Sequence, residues 1–202
     1  MGRRHTIIKG AFILTITGFI TRFIGFFYRI FLSQAFGEEG VGIYQLIFPV
    51  YALGFSLSCA GIETAISRTV AQKNAIGKSE QAKAILYTGC FFSMFFSALF
   101  ILVIQKQSTF IATHLLNEPR CEPLLLIISY ALPFSSLHSC IYGYFLGQKE
   151  TKIPALSQCI EQVIRVGSVF LLYKHSLQNQ QNPDIIISVT GIVFGEFASS
   201  LF

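Results

Sequence analysis

The chain has 202 residues, of which 52% are hydrophobic and only 12% are charged, and its formal net charge is +5. Soluble domains carry about 25% charged residues, so this composition indicates a membrane protein. The basic residues lie in short segments between apolar runs, whereas a nucleic-acid-binding surface needs them clustered on a polar folded face. Nucleic acid is therefore excluded as a partner.

The N-terminus has the basic head and apolar run of a signal peptide, MGRRHTIIKGAFILTITGF. It has no small-residue cleavage site, and its hydrophobicity continues well beyond a normal signal-peptide core. We therefore expect an uncleaved first transmembrane span.

Apolar windows of the length that crosses a bilayer, about 20 residues, recur along the chain. We predict an all-α membrane protein with a single transmembrane domain over residues 1–202. Its six spans are predicted at about 10–34, 45–70, 85–104, 124–146, 154–173 and 185–202, and the chain end cuts off the last.

Connections that are net basic alternate along the chain with connections that are not, and this alternation predicts the orientation in the cell membrane. The N-terminal segment and the connections at 68–83 and 147–152 are net basic, whereas those at 35–42, 105–123 and 174–184 are not. This pattern predicts a multi-pass protein with a cytoplasmic N-terminus. Pro49 and Pro133 each lie inside a span and should bend it, either as a packing kink or as a hinge that lines a cavity.

Two arginines interrupt the first span in the segment TRFIGFFYR, Arg22 and Arg29. Each costs about 2.5 to 3.5 kcal/mol at mid-bilayer on insertion scales, so something must compensate. The sequence continues at steps of three and four through Thr15, Gly18, Arg22, Gly25 and Arg29, which predicts one shared helical stripe. Phenylalanines occupy the other faces, so we expect the stripe to face protein or water.

The two arginines differ in depth. Arg29 lies near the outer end of its span, where its side chain could reach the headgroups. Arg22 lies about 18 Å from the inner end at 1.5 Å per residue, so it needs an acidic partner or an anionic ligand. Glu63 and Glu196 are the candidates for a structural ion pair with Arg22.

Glu161 and Arg165 stand four residues apart in the fifth span, an order that favours an ion pair, which we expect near the cytoplasmic face. The charges within or at the ends of the spans comprise four arginines against three glutamates: Arg22, Arg29, Arg68 and Arg165 against Glu63, Glu161 and Glu196. This cationic surplus suits an anionic substrate such as a phosphate or pyrophosphate, which arginine binds through two hydrogen bonds.

Residue patterns of enzymes are missing from the sequence. The four histidines lie far apart, and no serine-hydrolase, zinc-protease or P-loop motif occurs. The five cysteines form no C-x-x-C pair, so we interpret most of them as small apolar fillers within helices. We predict neither an enzyme, nor a cofactor, nor a metal site.

Three segments together resemble a known family: ITGFITRFIGFFYRIFLSQAFGEEGVGIYQLIFPVY, AGIETAISRTVA and IYGYFLGQKETKIPALSQCIEQVIRV. They are similar to the stage V sporulation protein B family, the polysaccharide-export branch of the superfamily that also contains lipid II flippases and MATE multidrug exporters. The similarity runs in order through essentially the whole chain.

The resemblance implies a fold of about fourteen helices in two lobes that rock around a central cavity and move a lipid-linked sugar across the membrane. In the sporulation branch this sugar serves spore-cortex peptidoglycan. Lipid II flippases carry cavity arginines in the context S/T-R-x-x-G-F, which Thr21, Arg22, Gly25 and Phe26 match. Arg29 differs from that pattern by one extra residue. The implied substrate-phosphate ligands are Arg22 and Arg29, and Glu63, Arg68, Glu161, Arg165 and Glu196 are cavity or ion-pair candidates.

This chain corresponds to the six-helix N-terminal lobe, truncated in its sixth helix. We expect it to need the missing C-terminal lobe, because alternating access requires two lobes, and to be inactive alone. Its partners would be membrane lipids and a lipid-linked anionic substrate, a polyprenyl-diphosphate sugar. The alternatives are a cation-coupled multidrug exporter of the same superfamily and a non-transporting membrane scaffold or remnant.

Overall fold

The computed structural model describes the backbone of residues 2–179 and 183–202, with side chains from residue 9 onward. Every regular element in those ranges is helical, which confirms the predicted all-α class. The α-helices are α1 (Gly2–Leu46), α2 (Phe48–Phe55), α3 (Gly61–Ala75), α4 (Ser79–Phe110), α5 (Cys121–Ser129), α6 (Ala131–Gly147), α7 (Lys152–Gln178) and α8 (Ile186–Leu201). Two π-helical turns, Ser56–Ala60 and Ile111–Leu115, follow α2 and α4.

Gly37 divides α1 into two helical segments. Its φ of 73° and ψ of 171° fall in a backbone region that is open essentially to glycine alone. Helical residues continue on both sides of it. The predicted connection over 35–42 therefore contains the turn, which a single glycine makes within an otherwise helical stretch.

Both prolines inside the predicted spans lie next to helix breaks. α2 begins at Phe48, and Pro49 occupies its first turn, where a missing N–H is tolerated. α5 and α6 meet at an angle of 41°. Pro133 lacks the N–H that would bond the carbonyl of Ser129, the last residue of α5, so the bend lies where the sequence removes a hydrogen bond.

Three helical stretches of the described residues are long and apolar enough to cross a membrane: Lys9–Ala75, Ser79–Leu115 and Lys152–Gln178. α5 and α6 make a fourth if the bent pair is one span, whereas α8 has only 16 residues. Lys9–Ala75 contains 67 residues, far more than the about 20 that one crossing needs. Six crossings remain a prediction.

The helices extend beyond the apolar windows that marked the spans. α4 and α7 exceed the predicted spans 85–104 and 154–173 at both ends. An apolar window marks the part of a helix within hydrocarbon, and polar residues can continue the helix into the headgroup layer. The predicted connections 105–123 and 174–184 are consequently helical as far as Leu115 and Gln178.

Glycines set the distances between the helices that carry the charged residues. A Cβ added at Gly143 of α6 would lie 2.7 Å from the backbone oxygen of Glu63 on α3. A Cβ added at Gly195 of α8 would lie 3.1 Å from the backbone oxygen of Glu161 on α7. Small residues let membrane helices approach closely, and here they bring α3, α6, α7 and α8 together around half-buried acidic side chains.

Candidate functional site

A cavity of about 340 Å³ lies between the two segments of α1, the start of α2 and the middle of α7. Three arginines line it, Arg22, Arg29 and Arg165, and we name it the arginine cavity. The turn at Gly37 allows both segments of α1 to contribute to its wall. The other lining residues are Thr21, Gly25, Tyr28, Leu32, Val41, Tyr44, Gln45, Phe48 and Gln162.

Hydrogen-bond donors dominate the polar lining of the arginine cavity. Arg22 and Arg29 are exposed, and among the described side chains no ion pair joins either of them to a carboxylate. Tyr28 is 6% exposed, and its hydroxyl lies beside Tyr44 without forming a well-aligned hydrogen bond among the described residues. Arginine offers five N–H donors and no acceptor, so the cavity suits an anion with several oxygens.

The predicted stripe of small residues on α1 is not closely packed against another helix. A Cβ added at Gly18 would have no neighbour within 4 Å, and one at Gly25 would meet only the Gln162 amide at 3.5 Å. The buried face of α1 lies beside the stripe and includes Thr17, Tyr28 and Leu32. The arginines therefore lie at the edge of the packed face, where space remains for a ligand.

A second cavity, of about 220 Å³, has an acidic lining and is named the acidic cavity. Its charged and titratable residues come from α3, α6, α7 and α8, and they are Glu63, His138, Tyr142, Glu161 and Glu196. The side chains of His138 and Glu196 are 13% and 12% exposed, and the His138 Nδ1 lies 3.8 Å from a carboxylate oxygen of Glu196. Ser139 donates a hydrogen bond to Glu63, which helps to hold that carboxylate at the cavity wall.

One ion pair connects the two cavities. Arg165 lines the arginine cavity and Glu161 lines the acidic cavity, and the Arg165 guanidinium donates a hydrogen bond to the Glu161 carboxylate. The predicted pairing along α7 is confirmed. Its position was not predicted, because the sequence suggested a local pair near the cytoplasmic face rather than a contact between two cavities.

The carboxylates suggested as partners of Arg22 lie elsewhere. Glu63 and Glu196 line the acidic cavity, and the described residues show no ion pair between either of them and Arg22. A direct structural ion pair with Arg22 is therefore wrong for both. Arg68 is exposed on α3 and lines neither cavity, so the structure does not bring it together with the other arginines.

Several polar residues of the two cavities were missed in the sequence. His138 accepts or donates hydrogen bonds with two serines and lies beside Glu196, although in the sequence it is only one of four histidines that lie far apart. In the sequence, Tyr28 comes shortly after Arg22, and Gln162 directly follows Glu161. Whether their side chains face the cavity, however, depends on how α1 packs against α7. The one feature of the sequence that could have identified them is that a histidine and a glutamine lie within apolar windows.

His138, Glu161 and Glu196 each offer a ligand atom, and these atoms lie within 4.8 Å of one another. That spacing could hold a metal ion. Both ring nitrogens of His138, however, are within hydrogen-bond distance of serine hydroxyls, at 2.8 Å from Ser157 and 3.1 Å from Ser199. A metal would have to displace one of these contacts.

This chain is similar in sequence to several known proteins that are longer than it is. Stage V sporulation protein B of Bacillus subtilis (strain 168) is 32% identical over 199 residues, which are 98% of this chain and 38% of that protein. The lipid II flippase MurJ of the same organism is 27% identical over 176 residues, 82% of this chain and 32% of that protein. An uncharacterized membrane protein, YabM, is also 27% identical, over 82% of this chain and 30% of its own length. No solved structure matches significantly.

The chain thus spans between 30% and 38% of the length of these relatives. The sequence profile of the polysaccharide biosynthesis protein family matches residues 7–202. The resemblance noted in the sequence is thereby confirmed, since the relatives include a sporulation protein and a lipid II flippase. The chain belongs to the polysaccharide biosynthesis protein family.

Proposed function

We propose that the chain is part of a membrane flippase that exports a lipid-linked oligosaccharide or peptidoglycan precursor of the spore-cortex type. The observation that carries the proposal is the convergence of Arg22, Arg29 and Arg165 on one cavity. The substrate would be a polyprenyl-diphosphate sugar, whose diphosphate is the anionic group that moves across the bilayer. Because the chain covers 38% of its sporulation relative, the activity is proposed for the whole protein.

In this proposal the chain crosses the membrane six times and its N-terminus is cytoplasmic. The turn at Gly37 separates the first two crossings, and the bent pair α5–α6 forms the fourth. The basic connections then lie on the cytoplasmic side. The arginine cavity lies within the membrane in this arrangement, where a diphosphate without protein ligands would be strongly disfavoured.

Arg22 is the principal phosphate ligand and Arg29 the second. Arg22 projects from the first segment of α1 into a cavity whose opposite wall carries Gln162 of α7 and Gln45 of the second segment. Guanidinium groups bind phosphate oxygens through two parallel hydrogen bonds, and the side-chain amides can bond the remaining oxygens. Arg22 has no carboxylate partner among the described side chains, so a ligand would not have to displace one.

The test is equilibrium binding of farnesyl diphosphate to the 202-residue chain in nanodiscs. Arg22→Gln should weaken binding by about tenfold or more, the worth of one charge-assisted hydrogen bond. Arg68→Gln is the matched control, because Arg68 lies in the same bundle but outside both cavities, and it should bind as the unsubstituted chain does. Equal binding by Arg22→Gln would contradict the proposal.

The acidic cavity favours one alternative, the cation-coupled multidrug exporter. Glu63, Glu161 and Glu196 line it with His138, and acidic cavities attract cationic drugs. The same nanodiscs separate the two functions, since an exporter of this type would bind a cationic drug in competition with protons and would show no preference for farnesyl diphosphate over farnesol.

A further inference from the structure

We propose that a third cavity binds the headgroup of an anionic phospholipid. The cavity has a volume of about 310 Å³ and is lined by three lysines, Lys9, Lys149 and Lys152, so we name it the lysine cavity. Its ligand is the phosphodiester of a lipid in the surrounding leaflet, which is the cytoplasmic one in the orientation proposed above. This site is separate from the arginine cavity and does not depend on what the protein transports.

The lysine cavity joins two basic segments that are far apart in the sequence. Lys9 lies near the start of α1, whereas Lys149 precedes α7 and Lys152 is its first residue. Gly10 lets the two segments approach, because a Cβ added there would lie 3.0 Å from side-chain atoms of Thr151. Cations from both segments therefore line one space, an arrangement that no short sequence pattern predicts.

Positive charge dominates the lining of the lysine cavity. Glu150 also lines it, so the ammonium groups outnumber the carboxylates three to one. All four of these residues are exposed, and the described side chains show no ion pair that involves any of the three lysines. Each ammonium group has three donors and no acceptor, so together they suit the oxygens of a phosphate.

The apolar part of the lining favours a lipid over a soluble phosphate. Ile13 of α1 and Ile153 of α7 are half-buried and line the same cavity. The predicted spans 10–34 and 154–173 both begin at this level, so the lysine cavity lies where the headgroups meet the hydrocarbon. A phospholipid presents its phosphate and the start of its acyl chains together at this depth, whereas a soluble phosphate gains nothing from apolar side chains.

The start of α7 adds hydrogen-bond donors to the lysine cavity. The first N–H groups of a helix have no partner within that helix, and the side chain of Thr151, the residue before α7, does not cap them. The N–H groups of Lys152 and Ile153 can therefore donate to a phosphate oxygen. Basic pockets between transmembrane helices on the cytoplasmic side bind anionic headgroups in other membrane proteins.

The test is fluorescence quenching by brominated lipids, which is convenient because the chain has no tryptophan. Phe12→Trp places a single reporter at an exposed position of α1, three residues after Lys9. The reporter protein is studied in phosphatidylcholine nanodiscs that contain either brominated phosphatidylglycerol or brominated phosphatidylcholine. We expect the anionic lipid to be preferred beside the reporter by about tenfold, and this preference should fall as the salt concentration rises.

The double variant Lys149→Gln, Lys152→Gln, made in the reporter protein, should lose most of that preference. The double variant Lys73→Gln, Lys78→Gln is the matched control, because it removes two lysines from the other basic connection, outside the lysine cavity, and it should keep the preference. Equal quenching by the two brominated lipids, or an equal loss in the two double variants, would overturn the proposal.

Inorganic phosphate, added at constant ionic strength, distinguishes a lipid headgroup from a soluble anion. We expect it to leave the quenching unchanged. Displacement of the brominated phosphatidylglycerol by inorganic phosphate would overturn the assignment to a lipid. Binding of farnesyl diphosphate to the arginine cavity is measured separately, so this proposal and the proposed function can fail independently.

Discussion

Glu161 and Arg165 form an ion pair one helical turn apart on α7, yet the two side chains line different cavities. The arginine cavity offers donors to an anion, and the acidic cavity offers carboxylates to a cation or a proton. The pair therefore places a cation and a carboxylate from one helix on the walls of two neighbouring cavities.

Gly37→Ala should destabilise the turn that shapes the arginine cavity. Gly37 has a φ of 73° and a ψ of 171°, where a Cβ costs about 1 to 3 kcal/mol. We expect a lower melting temperature in detergent and weaker binding of farnesyl diphosphate. Gly42→Ala is the control, since a Cβ there meets no atom within 4 Å. Equal melting temperatures for the two variants would show that the turn is not strained by a side chain.

Gly143→Ala should separate α3 from α6. The new Cβ would lie 2.7 Å from the backbone oxygen of Glu63, closer than packed atoms approach, and such overpacking costs about 1 to 3 kcal/mol. Thermal unfolding measures the loss. Gly167→Ala on α7, where a Cβ would have no neighbour within 4 Å, should leave the melting temperature unchanged or raise it slightly. A stable Gly143→Ala would mean that α3 and α6 are less tightly packed.

Tyr28→Phe should weaken ligand binding while it changes the stability of the fold little. The hydroxyl that it removes is buried beside Tyr44 and forms no well-aligned hydrogen bond among the described residues, so the change in stability should be small. Binding of farnesyl diphosphate should weaken several-fold, because the phosphate loses a donor. Tyr130→Phe, which removes an exposed hydroxyl, should change neither property. A Tyr28→Phe protein that binds normally would remove the hydroxyl from the binding site.

Acid should weaken a contact outside the membrane-spanning helices. Arg120 pairs with Glu118 and with Glu39 at 2.8 Å and 2.7 Å, and the hydrogen bond from Arg120 lowers the pKa of Glu118. A carboxyl with a lowered folded-state pKa stabilises the fold above its unfolded pKa, about 4.3 for glutamate, and this stabilisation disappears as the pH falls through the folded pKa.

The melting temperature of Arg120→Gln should accordingly lie slightly below that of the unsubstituted chain at neutral pH. The difference should be small, because these groups are exposed and salt screens them. It should vanish at a pH below the folded pKa of Glu118. A difference of the same size in acid would indicate that Arg120 acts through packing instead of charge.

Short sequence patterns predicted those features of the structure that depend only on the spacing of nearby residues. The Glu161–Arg165 pair follows from a separation of four residues, and the position of Arg22 in an apolar window follows from hydropathy. The meeting of Arg22 with Arg165 depends on the packing of α1 against α7, which no short pattern encodes. The connection at 35–42 was predicted, but not that Gly37 alone makes its turn, because glycine is common within membrane helices and only the backbone angles distinguish this one.

The most direct measurement is the flipping rate of a fluorescent polyprenyl-diphosphate sugar in liposomes. It would use a chimera in which residues 1–202 replace the matching part of stage V sporulation protein B of Bacillus subtilis. We expect the chimera and its Arg68→Gln variant to flip the lipid. The Arg22→Gln variant should insert normally but flip the lipid at about a tenth of the chimera's rate or below. A chimera that does not flip, or an Arg22→Gln variant as fast as the chimera, would contradict the role of the arginine cavity.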